Sequence, residues 1–134
     1  MRRSVGKLAQ GASSKRQEGR WVVRLAAVAE RDFQQIVLWT AQQFGAAQAR
    51  VYAATLSSAL EALSAGPAVV GSQARDDIAR GVYTLHVARQ GRKGRHFVMF
   101  RASRDHRLQI IEVLRLLHDA MDLPRHLPPS DETE

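Results

Sequence analysis

The sequence contains no cysteine, which removes disulfide staples and thiolate metal sites together. It also holds no apolar run near the roughly 18 residues that a membrane span needs. Arg2 and Arg3 stand at the start, but only scattered Val5, Leu8 and Ala9 follow, so a secretory signal is not expected. There is no P-loop, no GxGxxG, no GxSxG and no HExxH. Of the five histidines, His86, His96, His106, His118 and His126, no two stand at i, i+4 on a predicted helix. A metal site and a bound cofactor are therefore not expected. No segment repeats. Together these gaps point to a domain without a membrane anchor, and cytoplasmic residence is the expectation.

What is present fits one domain. The chain has 134 residues, 45% of them apolar and 25% charged, an ordinary globular composition. The net charge of +7 is unevenly spread. Residues 1–20 carry net +5, residues 21–74 balance, residues 75–107 carry net +6, and residues 108–134 carry net −4. Such a field suggests an anionic partner, nucleic acid or an acidic protein, against the plainer reading of a basic surface that keeps the chain soluble.

Residues 1–20 show no apolar period and are read as a disordered basic leader. Trp21 to Ala26 reads as a first strand. From about Val28 to Phe44 the period becomes helical: Phe33, Ile36, Val37, Thr40 and Phe44 fall on one stripe. Glu30 and Asp32 suit the positive end of the helix macrodipole. No capping residue stands near Ala26 or Ala27, and Gly45 ends the helix. A second helix, about Ala46 to Ser64, repeats the stripe with Ala49, Tyr52, Ala53, Leu56, Leu60 and Leu63. Joined at one glycine, the two must run antiparallel. A loop, Pro67 to Asp77, leads to strands at Val82–Ala88 and His96–Arg101. The turn between them, Gln90 to Gly94, would set His86 and His96 opposite each other. The last strand lies in Leu108 to Leu127, LQIIEVLRLLHDAMDLPRHL, which turns at His118-Asp119 and has a possible helical turn at Asp122-Leu123-Pro124. Residues 128–134 read as a frayed acidic tail. The order is β-α-α-β-β-β: an α+β domain over residues 21–127, with a helical hairpin packed on a small antiparallel sheet.

In that order the residues resemble the RelE/ParE superfamily of toxins. Ala29-Glu30-Arg31-Asp32-Phe33 and Ile36, the pair Ala46-Ala47 after Gly45, then Leu60, Leu63, Pro67 and Gly81 are similar to ParE-like members. The strongest piece is Leu114-Arg115-Leu116-Leu117-His118-Asp119-Ala120-Met121-Asp122, followed by Arg125-His126-Leu127. The resemblance implies the toxin of a type II toxin–antitoxin pair, neutralised by a cognate antitoxin. ParE members poison DNA gyrase without chemistry of their own; RelE members cut mRNA in the ribosome. The gyrase inhibitor is the preferred expectation and the mRNA endonuclease the alternative.

Cleavage of RNA through its 2′-hydroxyl would need a base, an acid and cations around the phosphate. The nuclease candidates are His118, with Arg101 ending the neighbouring strand and facing it, and Arg95. Against this, His118 also fits a structural role, bonding backbone carbonyls of the turn that follows. Tyr52 and Tyr83 lie on apolar faces and read as core. Arg89, Arg92, Lys93 and Arg95 read as a hairpin tip projecting four cations, either gripping an anionic partner or guarding a sheet edge. Trp39, off the main stripe, widens the core face or, if exposed, makes a docking hot spot. Arg115 and Met121 complete the contact candidates. The antitoxin would lie in the groove beside the helical hairpin or along a sheet edge.

Overall fold

Strand β1, Val22–Leu25, turns Val23 and Leu25 inward and leaves Val22 and Arg24 exposed, the alternation of a half-buried strand. The computed structural model describes residues 20–105 and 107–121. The leader short of Arg20, His106, the Asp122–Pro124 turn, His126 and the acidic tail lie outside the described residues.

One residue after β1 the chain enters helix α1, Ala27–Phe44. Ala26, at its N-cap, makes no side-chain cap bond. The start is instead fixed by pairing: the Ala26 N–H donates to the Val113 carbonyl of the last strand at 2.9 Å. Gly45 has φ +96° and no atom within 4 Å of the position a Cβ would take, so it is there for its backbone, reversing the chain in a single residue. Helix α2, Ala46–Ala62, follows, and a 3-10 turn, Leu63–Ala65, closes the hairpin.

Four strands complete the domain: β2, Gln73–Ala74; β3, Val82–His86; β4, His96–Ala102; and β5, Ile110–His118. The sheet order is β1-β5-β4-β3-β2. The helical hairpin lies on the sheet as the sequence indicates. Two details differ. The sheet is mixed, because β1 runs parallel to β5, with Val22 opposite Ile110 and Leu25 opposite Val113. The stretch read as loop contributes β2, a two-residue strand antiparallel to β3.

The core sits between hairpin and sheet. Ala29, Leu56, Ala59 and Leu63 meet Leu85, Val87, Val98, Phe100, Ile111, Val113 and Leu116. Full burial of a Leu or Phe side chain contributes about 1.5–3 kcal/mol. A second cluster, Val82, Met99, Leu114 and Leu117 with Ile78, Ala79 and Phe97, also buries residues of β3, β4 and β5. That explains why β5 reads as an almost unbroken apolar run. The register shifts between Met99, opposite Arg115, and Phe100, opposite Val113. Leu114 is thus the extra residue of a β-bulge, and the bulge re-aims Arg115 to His118.

Candidate functional site

Strand β1 stops opposite Val113, while β5 continues to His118. The last turns of β5 therefore have no strand on that side. Asp32 of α1 fills part of the gap. Its carboxylate takes Nε and Nη2 of Arg115 at 2.8 and 3.0 Å and the Leu116 N–H at 3.0 Å. Asp32 thus bonds to β5 rather than serving the helix end alone.

Beyond this clamp lies a groove of about 830 Å³. Ile36, Trp39 and Phe44 form one wall, Tyr52 and Gln48 of α2 the end, and Lys93 to His96 with Leu116 to His118 the other wall, with Met121 at the rim. Trp39 is 56% exposed and Phe44 65%; their rings meet edge to face with centroids 5.9 Å apart. Phe44, predicted on the core stripe, and Trp39, predicted to widen it, both overhang the core instead. The hairpin's glycine end projects past the sheet, so the stripe there has nothing to cover.

Two imidazoles, His96 and His118, line the groove's end, and a third, His86, reaches the neighbouring Asp119. His96 stands opposite His118 across the β4–β5 pair, ring centroids 5.3 Å apart. His86 pairs with Phe97, not His96, because the connection from β3 to β4 is longer than a tight turn. The Arg95 N–H donates to the Tyr52 hydroxyl oxygen at 3.0 Å, and the same hydroxyl shares a hydrogen bond with His96 Nδ1 at 2.7 Å. Burial, then the neighbouring His118, pushes the His96 imidazole down to about 4. Burial also raises the Tyr52 hydroxyl above its ordinary value.

Asp119 gathers the third imidazole and Arg95. The Ala88 N–H donates to His86 Nδ1 at 3.0 Å, leaving Nε2 to donate to Asp119 at 3.0 Å; Arg95 Nε lies 3.4 Å from the same carboxylate. The His86 hydrogen bond, more than Arg95, holds the Asp119 carboxyl below the usual range. His118 Nδ1 accepts the Ala120 N–H at 3.1 Å. It supports the turn as expected, but by accepting from an amide rather than donating to a carbonyl.

A family described as "ParE toxin of type II toxin-antitoxin system, parDE" matches residues 23–123. The chain belongs to the ParE toxin family. A search of curated proteins finds no match. Among solved structures, the chromosomal ParDE toxin–antitoxin system of P. aeruginosa is similar in fold, with TM-score 0.60, 17% identity, and 75% of this chain and 97% of that one covered. The RelBE2 toxin–antitoxin complex of Mycobacterium tuberculosis follows, with TM-score 0.50, 20% identity, and 74% and 98% covered. No described helix is long and apolar enough to cross a membrane.

In this ParE-family toxin the predicted site residues separate into two groups. His118, Arg95, Lys93, Arg115, Trp39 and Met121 all line the groove. Arg101 does not reach it. It stands opposite Glu112, to which its Nε donates at 3.1 Å, near the other end of β4 from His96 and His118. The basic loop keeps Arg92, Lys93 and Arg95 exposed but is tied to the body of the protein. Arg89 donates to the Val70 carbonyl at 3.2 Å, Arg92 to Thr55 Oγ1 at 3.3 Å, and Arg95 reaches Asp119. Gly94 explains the fold-back: a Cβ there would lie 2.5 Å from Val87 Cγ2 and 2.8 Å from the Tyr52 oxygen. Tyr83 is core, stacked on Phe100 with centroids 5.6 Å apart. Tyr52 is the site residue that sequence reasoning missed. Its position on an apolar stripe conceals that only the hydroxyl reaches the polar corner.

Proposed function

We propose that this toxin arrests growth by binding DNA gyrase as a protein inhibitor with no chemistry of its own, and that a cognate antitoxin neutralises it in the cytoplasm. One observation carries this reading. The groups that could serve RNA cleavage already have partners within the fold: Tyr52 with His96, His86 and Arg95 with Asp119, Arg101 with Glu112, Arg115 with Asp32, and His118 with the Ala120 N–H. What stays open is an aromatic and apolar groove, suited to protein contact. In a supercoiling assay with purified gyrase, the toxin is expected to inhibit the enzyme and trap cleaved DNA. Unimpeded supercoiling with no trapped breaks would remove the proposal.

A ribosome-dependent mRNA endonuclease is the second reading. It is favoured by the meeting of His118, His96, Tyr52 and Arg95 at one end of the groove. It requires His118 to exchange a proton with the reacting oxygens. His118→Gln would then abolish toxicity while the protein still folds; retained toxicity ends that reading.

A further inference from the structure

We propose that Arg20, Arg89 and Arg92, set along one side of α2, form a rail that grips the phosphate backbone of a nucleic-acid duplex. None of the three lines the groove described above, and the inference does not depend on gyrase being the target.

The first observation is which arginines the fold neutralises. Arg75 pairs with Asp77, Arg101 with Glu112, Arg107 with Asp105 and Arg115 with Asp32. Arg20, Arg89 and Arg92 are also held in place, but each by an uncharged acceptor. Arg20 Nη2 donates to Ser64 Oγ at 3.1 Å, Arg89 Nη2 to the Val70 carbonyl at 3.2 Å, and Arg92 Nη1 to Thr55 Oγ1 at 3.3 Å. None of the three has an ion-pair partner among the described residues. One such bond fixes where a guanidinium stands and leaves its charge and its other N–H donors open. A phosphate matches what is left, because the guanidinium fork suits its oxygens.

The second is where they stand. Thr55 and Ser58 lie about one turn apart on α2, and Ser64 follows in the 3-10 turn. Ser58, Ala62 and Ala65 line an open cleft of about 590 Å³ that Arg20 and Arg89 also line. From Thr55 to Ser64 the chain rises about 14 Å, and one strand of a duplex places a phosphate about every 3.4 Å along its axis. The anchored guanidiniums therefore span about four phosphates. Lys93, exposed beside Arg92, adds a further cation. Glu61 is the one carboxylate bordering the cleft; it is exposed, and it opposes an anion there.

The third is what the rail lacks. Binding of a single strand relies on bases stacked on aromatic rings. The exposed Trp39 and Phe44 belong to the groove, and among the described residues no aromatic side chain lines the cleft. A protein partner would need an aromatic or large apolar anchor, and the apolar part of the cleft is alanine and valine. Fixed cations without stacking platforms suit a duplex, whose phosphates position a protein without reading its sequence.

The test follows the full chain binding a fluorescent DNA duplex of about 20 base pairs by anisotropy, between about 50 and 200 mM salt. An RNA duplex, a single strand and a polyglutamate peptide are run alongside. Affinity for the duplex is expected to fall steeply as salt rises. Each of Arg20→Ala, Arg89→Ala and Arg92→Ala should reduce the slope of log K against log salt by about 0.9, and the triple variant should bind about tenfold or more weakly at low salt. The three arginines changed together to lysine keep the charges, so that slope should match the parent's. Glu61→Gln should tighten binding about two- to threefold. Urea midpoints check that each variant folds. Duplex binding through the rail supports the proposal with either nucleic acid, and the DNA and RNA arms tell which is preferred. No duplex binding at low salt overturns it. So does a triple alanine variant with an unchanged slope, which would assign binding to cations elsewhere, such as those of residues 1–19. A lysine variant that loses slope as the alanine variant does also overturns it, because charge would then not be what binds. Tighter binding of the single strand, or of polyglutamate that the duplex fails to displace, gives the rail to another ligand. No gyrase is present in this test, so its failure leaves the gyrase proposal standing, and the reverse holds too.

Discussion

Asp32 and Arg115, 83 residues apart, are joined by two hydrogen bonds of 2.8 and 3.0 Å with the carboxylate side chain 12% exposed and the guanidinium 21%. Because the same carboxylate accepts the Leu116 N–H, it does the work of a missing neighbouring strand where β1 has ended. Asp32→Ala leaves a guanidinium and an amide without their acceptor, and hydrogen bonds to charged groups contribute about 1.5–3 kcal/mol each. A loss of about 2–4 kcal/mol in urea unfolding is expected. Replacing both residues by leucine should cost less than the single change, because no charge is stranded. Equal losses in the single and double variants would show that the pair adds nothing beyond its separate packing.

Stability should fall on mild acidification because of His96. Its pKa is depressed to about 4 in the fold by burial, against about 6.5 for a free imidazole. The unfolded chain therefore binds more protons between these values, and stability rises with pH there. This contribution is complete above about pH 6.5 and is lost as pH falls toward 4. The ring is only partly buried, so solvent screening limits the effect to about 1–2 kcal/mol. Asp119, whose carboxyl is also depressed, adds a loss at still lower pH. His96→Gln should flatten the profile between pH 7 and pH 4.5 relative to the parent. An unchanged slope of the urea midpoint against pH would refute the assignment.

Gly94→Ala tests the seam that holds the basic loop down. The added methyl would stand 2.5 Å from Val87 Cγ2 and 2.8 Å from the Tyr52 oxygen. Val87 is fully buried and its branched side chain cannot swing away. Overpacking of this kind costs about 1–3 kcal/mol. The Tyr52 hydroxyl should leave His96 Nδ1, so Tyr52→Phe added to Gly94→Ala should cost less than the two changes summed. Full additivity would mean the loop yields without disturbing that hydrogen bond.

Most of the fold was legible because periodicity reports which side of an element is apolar. Ala49, Leu56 and Leu63 are buried where the stripe of the second helix puts them. Gly45 marks the reversal between helices as its position implies. Periodicity says nothing about what an element faces. The parallel pairing of β1 with β5 depends on register between residues some 88 apart, Val22 and Ile110, and no local signal carries it. The same blindness hid the Asp32–Arg115 clamp and set Arg101 beside His118, when a strand's length separates them. The basic loop was legible in part. It is exposed, as its composition implies, yet Gly94 brings it against Val87 and Tyr52, and Arg92 and Arg95 find acceptors on the body of the protein.

Trp39 and Phe100 should part company under truncation. Trp39 is more than half exposed and touches Phe44 edge to face beyond the end of the core. Phe100 is fully buried and packs under Tyr83. Phe100→Ala opens a cavity and should cost about 3–5 kcal/mol. Trp39→Ala removes a side chain that folding leaves largely in water, and should stay within about 0.5 kcal/mol of the parent. Urea midpoints of the two variants measure the contrast directly. If Trp39→Ala proved as costly as Phe100→Ala, the indole would belong to the core, and the groove could not offer it to a partner.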